Sequence, residues 1–187
     1  MASNEFQNRL LRAMNNQAHA MITFGEELNE SLNGNRFIAI DMTTIATGLS
    51  FDVGITTPSD KDVRFLWIDL GCDLNFAKCI LYEGVTFTGS TQIVPINSNR
   101  QSAKTAQTII HSAFSVTPDI TGAVIVDTVA TLGGTGVGQS SSGGAQEGDG
   151  FLLLKKNTKY LLRVSNEDGT TANVLLKIPF IETTLTD

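Results

Sequence analysis

Along most of this chain, apolar and polar residues alternate with a period of two. Leu49, Phe51, Val53 and Ile55 alternate with Ser50, Asp52, Gly54 and Thr56, which predicts a strand with one buried face. The clearest case is the last third, FLLLKKNTKYLLRVSNEDGTTANVLLKIPFIE, from Phe151 to Glu182. Two apolar runs there flank Asn166-Glu167-Asp168-Gly169-Thr170, the pattern of a β-hairpin closed by a glycine-containing turn. Further strands are predicted at Phe37 and Ala39, continuing to Met42, then at Val63 to Leu70 and Ala77 to Tyr82. Two more follow, at Gln107 to Phe114 and Ala123 to Leu132. Thr57-Pro58-Ser59-Asp60, Gly84 with Gly89 and Ser90, and Pro118-Asp119 mark reversals. Eight to ten short strands with no helices between them predict an all-β fold, an antiparallel β-sandwich or jelly roll.

Residues 1–34 follow a different period. Phe6, Leu10, Leu11 and Met14 recur at helical spacing, with Ser3 placed to cap the start. A second helical stretch is predicted from Glu26 to Leu32, ended by Asn33-Gly34. The first stripe is narrow and its helix short, so alone it would be marginal in water. The segment reads as an arm that docks on its own domain, on a neighbouring subunit or on a larger partner. The plain alternative is an amphipathic helix packed on the core. Phe6, Leu10, Leu11 and Met14 are the candidate contacts with a neighbouring subunit or a larger partner. Residues 35–187 form the β domain, and GGTGVGQSSSGGAQEGDG from Gly133 to Gly150 reads as a flexible surface loop within it.

Composition narrows the function. The 187 residues carry 13 Lys+Arg against 19 Asp+Glu, a net charge of −6, which argues against a nucleic-acid surface. Arg100 and Lys104 make only a small basic pair, read as solvated loop charges. Charged residues are 17% of the chain, which fits a turn-rich β protein or a surface that meets other proteins. Two cysteines, Cys72 and Cys79, are too few for a disulfide scaffold and read as buried thiols, with a bridge left open. No signal peptide opens the chain and no stretch approaches a membrane span, so synthesis in a reducing cytoplasm, without a membrane partner, is expected.

Candidate chemistry is sparse. His19 and His111 lack a ligand partner at metal spacing. The glycines from Gly133 to Gly138 are not followed by the Lys-Ser/Thr pair of a phosphate loop. Glu147/Asp149 and Glu167/Asp168 are explained by loop and turn chemistry. Asp52, Asp69 and Glu83 are the acids whose strand positions would suit a glycosidase pair. Trp67, Tyr82 and Tyr160 lie in apolar runs and read as core. The expectation is a non-enzyme with no catalytic residue, cofactor or metal.

An ordered set of short motifs adds a resemblance. Leu81-Tyr82-Glu83-Gly84-Val85-Thr86, then Asn97-Ser98-Asn99-Arg100, then Lys156-Asn157-Thr158-Lys159-Tyr160 come in that order. Leu161-Leu162-Arg163-Val164-Ser165-Asn166, Gly169, Ala172-Asn173-Val174 and Phe180-Ile181-Glu182 complete the set. Over residues 49–182 the chain resembles a group of tailed-bacteriophage virion proteins, among them capsid decoration (cement) and other head-associated proteins. It departs from them at Ile178-Pro179-Phe180, where the group more often has an aromatic pair without proline; that places the last strand at an edge or a bulge. The resemblance implies a structural protein on the capsid exterior. Its implied partners are the major capsid protein and its own copies, as a dimer or trimer. Two other classes remain open: a fibre or receptor-binding module for host glycans, and a hydrolase on a jelly-roll scaffold.

Overall fold

The computed structural model describes residues 27–66, 68–72, 76–132, 141–144, 152–167 and 169–184. Among these, thirteen strands build two antiparallel sheets packed face to face. In sheet A, β1 (Arg36–Ile45) pairs along its whole length with β13 (Ala172–Thr183). The other side of β13 is shared by β4 (Asp69–Cys72) and then β3 (Asp62–Phe65). The short strands β7 (Ile96–Asn97), β10 (Ser141–Gly144) and β11 (Leu152–Leu154) close the rims of that sheet. Sheet B has the order β6 (Thr91–Ile93), β8 (Ile109–Ser112), β2 (Ser50–Thr56), β12 (Lys159–Asn166), β5 (Phe76–Glu83), β9 (Val124–Leu132). The all-β sandwich expected from the alternation is what forms.

The two sheets bury their facing side chains in one core. Phe37, Ala39 and Ile45 of β1 and Val174, Leu176, Ile178 and Phe180 of β13 meet Val53, Ile55, Cys79, Leu81, Tyr160, Leu162 and Val164 of sheet B. Each fully buried aliphatic side chain contributes about 1.5–3 kcal/mol. Cys72 and Cys79 are both buried and unbridged. Burial, with Asp127 adding to it, pushes the Cys79 thiol up to about 12, so it stays protonated.

Several expectations need correction. β12 and β13 do not form a hairpin: β12 pairs with β2 and β5, whereas β13 lies in the other sheet. Both strands are central, so neither has a free edge for the other. The turn between them crosses the sandwich, and buried Asn166 holds it by donating from Nδ2 to Ile45 O (2.9 Å) and Thr170 O (2.8 Å). The predicted single strand from Val63 to Leu70 is split into β3 and β4. Lys177 faces Asp69 but Phe180 faces Phe65, so the register shifts by one residue between the two pairings. This bulge lies at Pro179, whose carbonyl accepts from Leu66 N–H (3.2 Å). A strand residue's N and O point the same way, so the proline's missing donor falls where pairing is already interrupted. Pro179 is therefore at a bulge, not an edge.

Met42 and Leu49 are exposed rather than buried. Met42 has the opposite parity from Phe37 and Ala39, and Leu49 sits in the turn before β2. Within the stretch read as a flexible loop, residues 141–144 form a strand against β4. Serine and glycine backbones can pair with an open edge without side-chain burial. Residues 133–140 and 145–150 lie outside the described residues.

The N-terminal boundary also moves. Residues 27–32 form a short helix, α1, closed as the Asn33-Gly34 signal predicts. Gly34 adopts φ 71°, its N–H binds Ser31 O (3.0 Å), and Asn35 N–H binds Glu30 O (2.9 Å). The end of α1 is bonded to the body. Asn97 Nδ2 donates to Gly34 O (2.9 Å), Asn99 Nδ2 to Leu32 O (2.8 Å), and Glu182 N–H to Asn35 O (2.9 Å). Residues 27–34 thus belong to the β body.

Candidate functional site

The acids singled out for paired-carboxylate chemistry are dispersed. Asp52 of β2 faces Arg163 of β12, which grips it with two hydrogen bonds of 2.8 Å. Glu83 of β5 accepts from Tyr160 Oη (2.9 Å) and pairs with Lys155. The Lys155 hydrogen bond holds the Glu83 carboxyl below its usual range, opposite to what a general acid needs. Asp69 lies in the other sheet, near Lys177 (3.9 Å). Tyr160 is core, as expected; burial pushes its phenol up to about 12. Among the described residues no group of three His, Cys, Asp or Glu could hold a metal ion. No helix among them is long and apolar enough to cross a membrane.

His111, on β8, is half-buried. Its Nε2 meets Thr56 Oγ1 (3.1 Å), its Nδ1 meets Ser90 Oγ (2.9 Å), and Phe87 packs at 5.0 Å. Desolvation, with Lys159 near, lowers its pKa below the ordinary 6.5. His19, Trp67, Glu147, Asp149 and Asp168 lie outside the described residues, and so do Phe6, Leu10, Leu11 and Met14.

The larger contrast is between the two outer faces. On sheet B, Leu161 points away from the main core and is buried under Val85 and Phe87, with Phe114, Ile120 and Ala123 packed around. Loops 84–90 and 113–123 carry this cover. They press so close that a Cβ on Gly54 would lie 2.8 Å from Phe87 and 2.9 Å from Phe114. Lys159 fastens it from above, its Nζ 4.8 Å from the Phe87 ring centre and 3.3 Å from Phe87 O. Beside the cover runs a groove of about 560 Å³ lined by Phe51, Asp52, Phe114 and Arg163.

On sheet A no such cover is found among the described residues. The outward positions of β1 are Ile38, Ile40 and Met42. Met42 faces Leu175 across the β1–β13 ladder, Ile38 faces Ile96 of β7, and Ile40 faces Lys177. Met42 is 75% exposed, and Ile40, Ile96 and Leu175 each more than 40%. Leu28 and Leu32 of α1 are exposed too. Ile40, Met42, Ile96 and Leu175 form an aliphatic patch shared by three adjacent strands, β7, β1 and β13. Of the residues read as this strand, Phe37 and Ala39 are buried and Met42 is not. The signal missed was that positions 38 and 40 between them are apolar as well.

The motif residues behind the resemblance have local structural work. Asn157 takes the left-handed conformation (φ 50°) in the turn before β12, which Thr57 staples through Lys155 O (2.7 Å) and Thr158 N–H (2.9 Å). Gly84 ends β5 with φ 79°. Asn97 and Asn99 close α1. No protein-family model matches the chain, and no curated protein matches it.

Proposed function

We propose that this chain is a non-enzymatic structural protein that attaches to a repeating protein shell. In this reading it is a decoration protein on the exterior of a tailed-phage capsid, made in the host cytoplasm. Its partners are the major capsid protein and its own copies, as a dimer or trimer. The observation that carries the reading is the uncovered aliphatic face of sheet A, centred on Ile40, Met42, Ile96 and Leu175. Covering each such side chain is worth up to about 1.5–3 kcal/mol, and a symmetric shell repeats the gain at every site. The ordered virion-protein motifs support the same reading. So does α1, whose C-terminal end is bonded to Asn97 of β7 at the rim of that face.

The glycan-binding alternative calls for exposed aromatic rings on one sheet face. Among the described residues the exposed large apolar side chains are aliphatic. Counting the chain in purified particles tests the proposal. A fixed ratio to the main shell protein, with density outside the shell, is expected. Absence from the particle, or saturable binding to a glycan array, would refute it.

A further inference from the structure

The lower end of sheet A holds a second feature that the attachment reading does not use. A hollow of about 340 Å³ opens between α1, the start of β3 and the end of β13. Three cations from two chain segments line it: Lys61 just before β3 and Arg64 within it, and Lys104 from the loop after β7. The hydrogen bonds of the two ammonium groups go to neutral oxygens. Lys61 Nζ donates to Thr184 Oγ1 (2.7 Å), and Lys104 Nζ donates to Asn35 Oδ1 (2.7 Å).

Two carboxylates also line the hollow, and both are engaged. Glu182 accepts from Gln107 N–H at both oxygens (3.1 and 3.0 Å) and from Thr108 N–H (2.6 Å). Glu30 accepts from Asn35 Nδ2 (2.7 Å). Thr183 also lines the hollow, and its hydroxyl is buried with no hydrogen-bond partner. A buried hydroxyl normally finds one.

We infer that this hollow binds a small tetrahedral oxyanion, of the phosphate or sulfate type. Ammonium groups held on neutral oxygens exchange these for a charged acceptor at a net gain, because ionic hydrogen bonds are the stronger ones. Donors converging from three segments suit an acceptor with oxygens on several sides better than a flat carboxylate. Thr184, just after β13, also lines the hollow and adds a hydroxyl donor from a third segment. The inference does not depend on attachment to a capsid, because every group in it belongs to the free chain.

The test is a titration of the full chain with inorganic phosphate, and separately sulfate, at constant ionic strength, read by backbone amide NMR shifts. Saturable shifts are expected at residues 61–64, 102–105 and 182–184, with a dissociation constant on the order of 1 mM. The double variant Lys61→Gln/Lys104→Gln should bind at least about tenfold more weakly. Lys78→Gln, on the far face of sheet B, should bind as the parent does. If the double variant misfolds, Lys104→Gln alone carries the comparison. Shifts that stay linear in anion concentration, or that are the same in the lysine variants as in the parent, overturn the inference.

Discussion

The two outer faces of this sandwich treat the apolar side chains of their central strands differently, although sheet B too leaves Val124 and Ile125 exposed on its edge strand β9. Sheet B covers Leu161 with its own loops, fastened by Phe87, Phe114 and Lys159. Sheet A leaves Ile40, Met42, Ile96 and Leu175 in the open. A fold able to lay two loops across one sheet had the same means for the other. In the proposed reading, sheet A is the face that meets a partner. One face then holds the body together, and the other supplies its contact surface.

Stability measurements can break this contrast. Phe87→Ala should cost about 3–4 kcal/mol in denaturant unfolding, since it uncovers Leu161 and leaves a cavity. Met42→Ala should fall within about 0.5 kcal/mol of the parent, because its side chain rests in solvent. Equal costs at the two sites would erase the distinction between the faces.

Truncation comes next in size. Removing residues 1–26 should leave unfolding of the body nearly unchanged. Removing residues 1–34 should cost a further ~1–2 kcal/mol, because Asn97 Nδ2 and Asn99 Nδ2 lose their acceptors on Gly34 and Leu32. Identical midpoints for the two truncations would place the boundary back at residue 34.

The smallest effect belongs to His111, at the rim of the sheet B cover. Its folded pKa lies below the unfolded value, so the unfolded chain takes up the proton first as pH falls. The stability it contributes is whole above about pH 6.5 and declines below it, until the folded-state pKa is passed. His111→Gln should flatten that part of the stability–pH curve. An unaltered slope would show that the imidazole stays solvated.

Much of this was legible in the chain. Period-two alternation placed β2, β5, β8, β9 and β12 within a few residues, because it reports which side chains face the core. It does not report which strand lies alongside. For that reason β12 and β13 read as a hairpin although each is the centre of a different sheet. Pro179 did announce an interruption, and the split of β3 from β4 is its consequence. Gly54 also carried a usable signal: glycine inside a strand marks a close approach, here of two phenyl rings. The sheet A face was hidden by its own composition. β1 is apolar at both parities from Phe37 to Ile40, and such a strand reads as buried on both sides. Only the layer order shows that its even positions have nothing above them among the described residues.

The most direct test of the contact face is co-sedimentation of the double variant Met42→Asp/Leu175→Asp with purified capsids lacking the bound protein. The account predicts parent-like unfolding together with loss of sedimentation with the shells. Attachment at parental affinity, with both aspartates confirmed on a folded chain, would contradict it.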